Sequence, residues 1–524
     1  MEMNTARHWQ RAQQHFAARE LDAARAACEN VIRRQPGFAS AHWMLSALLL
    51  HAGHFRAATE QALAAAAGLR DEPLNIRLNI SWALLSVGEN VRALQLLRNM
   101  ALPPSALAPM LIDAARQCAM IDCHAEALTI LHQAIAAGVD GPLLEYQRGL
   151  ILQNLGELSA AAEAYEIAIR QAPDFAQAHW SLAQLGRNDG AKMRIDRLRR
   201  LSTRVASGSE ESAYCHYALF RELDRLGDTA AAWPALAEGA RIRRQQVQFD
   251  GVAEAAIIDA IIARTGPGFL DARAELQAGT TPIFIVGLPR TGTTLLERIL
   301  GNHPAVSNCG ELNDLRMQYK WVSDYQCPGY LDAHAASLIP ALDYGLLARR
   351  YLDKTSWRGD GRSHFSDKNQ TNFLYCGMIL KALPQAKILH LRRNAMDSCF
   401  SNLKELFAPT NYTYSYRFDE LATHYQNYSR LMSHWHACAP GAILDVSYED
   451  LVSDPETQAQ RVLAFCGLSA QDRLTDVTAN TQPVSTASSV QVREPIHRRN
   501  VDGWRRYAEP LAPLQQELER RGLL

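Results

Sequence analysis

Pro282–Pro304, PIFIVGLPRTGTTLLERILGNHP, decides the fold of the C-terminal half. PIFIVGL is a short apolar run rich in β-branched residues, as a buried strand requires, and LLERIL returns apolar residues at helical spacing. The turn between them, GLPRTGTT, runs from Gly287 to Thr294. Strand, loop and helix in this order place a helix N-terminus near Thr293. Its unpaired backbone N–H groups and the positive end of its dipole face the loop, an arrangement that holds phosphate oxygens. Gly287 and Gly292 let the backbone close around an anion, and Arg290, Thr293 and Thr294 add a charged donor and two hydroxyl donors. The expected cradle is therefore Arg290, Thr291, Gly292, Thr293 and Thr294.

The spacing matches the nucleotide loop G-x-x-x-x-G-K-[ST] except that Thr293 stands where the Lys belongs. Enzymes acting on nucleoside triphosphates use that Lys on the β/γ-phosphates and pair it with a magnesium ion. Neither that Lys nor an unambiguous apolar strand ending in a magnesium-holding Asp is found, so a kinase-like reading is disfavoured and no metal is expected. About 100 residues later, PQAKILHLRRNAMDSCFSNL offers a second strand running into a helix. Arg393, Asp397 and Ser401 recur every fourth residue and share one helical face if the helix starts at once. A guanidinium suits phosphate because its planar fork matches two oxygens. The same spacing also describes an ordinary surface Arg–Asp pair. Two anion motifs at successive strand–helix junctions favour the anion site over that reading. Near the C-terminus, EPIHRRNVDGWRRYAEPL gathers Arg498, Arg499, Arg505 and Arg506 around Trp504.

PRTGTTLLERIL resembles the 5′-phosphosulfate loop of sulfotransferases, P-[KR]-[ST]-G-T-T, and Arg393-x-x-x-Asp397-x-x-x-Ser401 resembles their 3′-phosphate signature. The resemblance implies the co-substrate 3′-phosphoadenosine-5′-phosphosulfate (PAPS), which leaves as adenosine 3′,5′-bisphosphate, with Arg393 and Ser401 on the 3′-phosphate. It implies that Tyr448, in VSYEDLVSDPE, contacts the adenosine end; a buried structural Tyr is the equal alternative. The late basic loop resembles one that closes over the nucleotide, although protein-tyrosine sulfotransferases carry Lys where this chain has Gly503. Arg498 and Arg499, with Ser488 upstream, are the expected phosphate partners there. NCGELND resembles the C-G-E-E segment of the same enzymes, making Glu311 the implied general base. Lys368, in FSDKNQTNF, resembles the Lys of their N-K-D-P-F segment and would support the sulfuryl group together with Arg290. Cytosolic small-molecule sulfotransferases use a His base instead, which leaves His303 and His364 as rivals.

The N-terminal half repeats. LDAARAACENVIRRQPGFASAHW at Leu21–Trp43 aligns with LSAAAEAYEIAIRQAPDFAQAHW at Leu158–Trp180, an offset of 137 residues. That is close to four periods of a 34-residue helix–turn–helix unit of the tetratricopeptide type. Ala24, Ala58, Ala93, Ala127 and Ala161 occupy the close-packing position, and HAGHF, SVGEN and NLGEL mark the turns. Stacked pairs of this kind form a solenoid with a concave groove. A divergent pair is expected over Glu211–Arg244, separated from the rest by a break across the polar stretch Arg187–Ser212. The array either holds a peptide or protein substrate or serves as a scaffold that braces the C-terminal part or pairs two copies as a homodimer.

At 524 residues the chain exceeds one hydrophobic core. Lys plus Arg (54) and Asp plus Glu (55) nearly cancel, so no field of one sign invites nucleic acid or an anionic membrane. The N-terminus lacks a secretory pattern and no stretch reaches the length of a bilayer span, from which a cytoplasmic location is expected. The ten Cys contain no C-x-x-C pair and read as buried or idle thiols. The expected architecture is multidomain: an all-α tetratricopeptide solenoid (1–190), a divergent helical repeat and linker (191–280) that includes RTGPGF and QAGTT, and an α/β P-loop-like sulfotransferase domain with a parallel sheet (281–524). The expected reaction moves a sulfuryl group from PAPS to an acceptor hydroxyl, foremost tyrosine of a peptide or protein. A small alcohol, phenol or glycan acceptor, and a non-catalytic peptide-binding scaffold with a degenerate nucleotide site, are the alternatives.

Overall fold

A computed structural model describes residues 2–100, 108–275, 279–327 and 329–524, so Gln277 and Ala278 of the QAGTT connection lie outside the described residues. The chain divides into two compact units, Met1–Val139 with Asn313–Trp357, and Asp140–Leu312 with Arg358–Leu524.

The first unit contains four helix pairs: Glu2–Ala17 with Leu21–Arg34, Ala39–His51 with Phe55–Ala67, Leu74–Ser86 with Asn90–Arg98, and Ala108–Met120 with His124–Ala136. Ala24, Ala58, Ala93 and Ala127 are each 0% exposed, because the axes approach closely only where a methyl is the largest group between them. Asn313–Trp357 belongs to the same unit although it lies far along the chain. Its helices Asp314–Ser323 and Tyr344–Thr355 dock on the turns between repeat helices. Arg56 donates from its backbone N–H to Asp324 Oδ1 (2.8 Å) and from Nε to the Trp321 carbonyl (2.8 Å), and Lys354 pairs with Glu89 at 2.7 Å.

The second unit begins with seven further helices, Pro142–Leu155, Leu158–Gln171, Ala176–Gln184, Ala191–Ser202, Glu210–Arg225, Thr229–Gln246 and Gly251–Arg264. Within the stretch Arg187–Ser212, where a break in the array is expected, Ala191–Ser202 is helical. Its charges are absorbed locally, since buried Arg194 donates to Glu222 Oε1 at 2.7 Å and to the Asp189 carbonyl at 2.6 Å. Arg197 forks onto Glu166 at 2.8 and 3.1 Å. A polar composition therefore coexists with a packed helix because the charged heads find partners while the stems cover apolar surface.

Five parallel strands follow: β1 Thr281–Gly287, β2 Val306–Asn308, β3 His364–Asp367, β4 Lys387–Arg392 and β5 Ile443–Ser447. Their order is β2-β3-β1-β4-β5. Pro282–Gly287 of β1 are all buried, as a central parallel strand covered on both faces must be. Ile283, Ile285, Leu296, Ile299, Val306, Leu389, Leu391 and Val446 form the core on one side of the sheet. The chain leaves β1 toward one edge and returns to the other, so the ends of β1, β3 and β4 border a topological switch point, where open α/β sheets take their ligands. A second core joins Tyr217, Phe220 and Leu236 of the helical layer to Met396, Phe400, Trp504 and Tyr507. Among the described residues no helix is long and apolar enough to cross a membrane.

Candidate active site

The loop after β1 is shaped by two glycines. A Cβ on Gly287 would stand 2.7 Å from the Leu391 carbonyl oxygen on β4, and one on Gly292 would stand 2.6 Å from Cδ2 of Tyr448. Gly292 also has φ +107, and Arg290 itself adopts φ +66, an uncommon backbone for a side-chain-bearing residue. The helix Thr293–Gly301 starts at Gly292 with no side-chain cap, which leaves its first-turn N–H groups available to an anion. Thr291 turns its hydroxyl inward to the Leu288 carbonyl (2.7 Å), while Thr294 lies 3.3 Å from the Thr486 hydroxyl. Thr293 is buried at the first helical position. Arg290 donates to the Ser488 hydroxyl and to Gln491 Oε1 (2.9 Å), which ties the loop to the late segment.

After β4, the helix begins at Ala395 rather than at Arg393, because Asn394 caps it by accepting the Asp397 N–H. Arg393 thus lies just outside the helix, where it donates to the carbonyls of Arg290 (2.9 Å) and Asn500. Its guanidinium packs 4.7 Å from the centroid of the Tyr448 ring. Asp397 accepts the backbone N–H groups of Asp502 (2.8 Å) and Trp504 (3.1 Å), so this carboxylate clamps the late loop. Burial pushes its carboxyl upward, opposed by Arg393 and those two N–H bonds.

These contacts close one cleft of about 870 Å³, counted to its open mouth. Arg290, Gly292, Thr294, Arg393, Ser401, Tyr448 and Ser488 all line it. Arg498 and Arg499 do not: both are exposed, and Arg499 pairs with Glu494. The backbone clamp at Asp397 presents His497, Asn500 and Gly503 to the cleft instead. Two further cations, Arg221 and Lys404, also line it. Lys404 follows Ser401 by three residues and was detectable as part of the same helical face; nothing near Arg221 in sequence marks it. The Nε atoms of Arg221, Arg290 and Arg393 and Nδ1 of His497 are buried without a hydrogen-bond partner. The guanidinium groups of Arg221, Arg290 and Arg393 lining one cleft fit a phosphorylated anion.

Glu311 and Lys368 meet at the ends of β2 and β3. Lys368 Nζ donates to Glu311 Oε1 at 2.7 Å, and Gln370 Nε2 donates to the same oxygen at 3.0 Å. Lys368 is fully buried, whereas the Glu311 side chain is 34% exposed. Glu297, missed in the sequence, supports the pair: from the helix after the β1 loop it accepts the Gly310 N–H (3.1 Å) and the Ser366 hydroxyl (2.9 Å). Burial raises its carboxyl, with Lys368 acting against the rise. Of the rival bases, His303 is buried at a helix end and contacts the Ser469 carbonyl at 3.2 Å. His364 starts β3, three residues from the end that carries Lys368, so about 10 Å of extended chain removes it from this edge.

Two other features stand apart. His390, His436 and Asp445 bring their ligand atoms within 4.8 Å of one another, the group among the described residues that could hold a metal. Here they hydrogen-bond among themselves, at 2.7 Å for His390–Asp445 and 2.9 Å for His436–Asp445. Within the first unit, Leu63, Ala67, Leu69 and Leu96 floor a groove edged by Arg70, Arg77 and Arg92.

Residues 282–472 match the model of the sulfotransferase family, so the chain carries a sulfotransferase-family domain with a five-stranded parallel sheet. An uncharacterized protein of Aquifex aeolicus (strain VF5) is 30% identical over 376 residues, covering 70% of this chain and 49% of that protein. The chain thus spans about half the length of that relative. A protein of Caenorhabditis briggsae described as "Putative protein-tyrosine sulfotransferase" is 24% identical over 237 residues, 42% of this chain and 80% of that protein. The all-helical N-terminal region resembles tetratricopeptide-repeat proteins. One, from Parabacteroides merdae, has a TM-score of 0.34 at 11% identity, covering 46% of this chain and 93% of the other.

Proposed function

We propose that this chain transfers the sulfuryl group of PAPS to the hydroxyl of a tyrosine in a peptide or protein, with Glu311 as general base. The observation that carries the reading is the 2.7 Å contact between Lys368 and Glu311 at the same strand edge as the cationic cleft. In this reading the loop Arg290–Thr294 holds the 5′ group, Arg393 and Ser401 the 3′-phosphate, and Tyr448 and Ser488 the walls beside them. Arg498 and Arg499, exposed here, would reach the nucleotide only if the late loop turned. PAPS, when bound, supplies the sulfuryl group to the acceptor oxygen.

The chain's own residues divide the remaining work. Glu311 Oε1 is held by Lys368 and Gln370, which fixes the carboxylate while its partly exposed face takes the acceptor's proton. Lys368, buried and cationic, stabilises charge on the transferred group, and Arg290 does so from the β1 loop. Glu297 ties this constellation to the helix Thr293–Gly301 through Gly310 and Ser366. A tyrosine acceptor is supported by the Glu311 and Lys368 segments and by the Caenorhabditis briggsae relative. The arginine-edged groove of the first unit suits an acidic peptide by charge.

Incubation with labelled PAPS and a panel of acidic Tyr peptides, phenols, simple alcohols and oligosaccharides tests the acceptor; label in phenols or sugars but not peptides overturns the tyrosine assignment. Thermal stabilisation by adenosine 3′,5′-bisphosphate, and none by ATP with magnesium, is the expected donor result. The reverse pattern overturns the donor.

A further inference from the structure

Arg221 and Lys404 belong to neither anion motif, yet both face the cleft. Arg221 lies on the helix Glu210–Arg225, in the helical layer that precedes the sheet. That helix reaches the cleft because Tyr217 and Phe220 share a core with Met396, Phe400 and Trp504, and the Tyr217 hydroxyl donates to the Leu403 carbonyl at 3.0 Å. Arg221 donates to Glu405 Oε2 at 2.8 Å, and its buried Nε has no acceptor. Glu405 also accepts from Gln184 at 2.9 Å and stands 3.8 Å from Arg290 Nε, so one carboxylate is shared by two guanidinium groups.

Lys404 ends the helix that carries Asp397 and Ser401. Its ammonium sits 4.5 Å from the Phe400 ring centroid and, among the described residues, makes no ion pair. Burial, together with Arg221, Arg393 and Arg290, pushes it down to about 7, against the pull of Asp224. Glu494, the other carboxylate lining the cleft beside Asp397, is engaged by Arg499. The cleft therefore holds more cation than its own carboxylates neutralise.

We propose that Arg221 and Lys404 complete, with Arg393 and Ser401, the subsite for the phosphate monoester on the donor's ribose, so that the helical layer supplies part of the nucleotide site. The assignment rests on the PAPS reading above. Lys404 lies three residues beyond Ser401, which places both side chains on the same helical face. A dianion there gives Lys404 the counter-charge it lacks and adds an anionic partner for the Arg221 guanidinium beside Glu405.

The test compares adenosine 3′,5′-bisphosphate with adenosine 5′-monophosphate by calorimetric titration of the full chain. Wild-type protein is expected to favour the bisphosphate. Lys404→Met and Arg221→Gln should each weaken the bisphosphate by about tenfold or more, with the monophosphate changed by less than about twofold. Equal weakening of both nucleotides, or no change in either, overturns the subsite while leaving the donor reading intact. Wild-type protein that binds neither nucleotide overturns the donor reading and the subsite with it. Lys404→Met breaks no ion pair, so it decides the matter even if Arg221→Gln, which removes one of the two guanidinium partners of buried Glu405, fails to fold.

Discussion

The repeat helices of the first unit and the strand ends of the sheet both bury side chains from solvent, with opposite chemistry. Ala24, Ala58, Ala93 and Ala127 are fully buried methyl groups, and each position reads the same way in every pair. At the sheet edge the buried groups are Glu297, Asp367, Lys368 and Asp397, each with different partners. Burying a charge is costly unless it is matched, so such groups persist where a specific geometry requires them. Burying a methyl is favourable anywhere. The contrast separates positions that any close packing of helices demands from positions whose charges demand particular partners.

Substitutions that strike one chemistry and spare the other break or sharpen this contrast. The largest effect is expected from Glu311→Gln, which keeps the shape and the contacts with Lys368 and Gln370 but removes the carboxylate proposed as base. Turnover should fall by about 10²–10⁴-fold with bisphosphate affinity nearly unchanged, and full activity in that variant would sink the assignment. Next is Gly292→Ala, whose new methyl meets the Tyr448 ring in a backbone conformation that L-residues avoid. Bisphosphate affinity should drop by roughly tenfold or more, as read by titration. Ala58→Leu overfills a repeat contact and should cost about 1–3 kcal/mol in denaturant unfolding while leaving bisphosphate affinity intact. The smallest effect belongs to Arg499→Ala. Its exposed pair with Glu494 should contribute at most about 1 kcal/mol, and nucleotide affinity should not move; a large loss of affinity would mean that the late loop turns inward on binding.

Much of the fold was legible from local pattern. The 34-residue spacing found the buried alanines, and PIFIVGLPRTGTT placed a strand, a loop and a helix where β1 and Thr293–Gly301 lie. The packing of the polar stretch around Arg194 was not legible, because composition cannot show that Glu222, 28 residues later, will receive the guanidinium. At the site, Glu311 and Lys368 were both named from sequence, 57 residues apart, and the structure brings them into contact. Arg221 was out of reach for the same reason as Glu222: its partner Glu405 lies 184 residues away.

The sequence by itself determined the periodic helices and the two strand–turn–helix junctions, since each rests on residues within a few positions of one another, while the candidate base came from the resemblance of NCGELND to a known segment. Only the tertiary structure decided that Asp397 clamps the late loop, that Arg498 and Arg499 face outward, and that a helix of the preceding layer lends Arg221 to the cleft. Short-range spacing dictates backbone conformation, whereas the field around an anion is summed over whichever charges the packed chain brings near it.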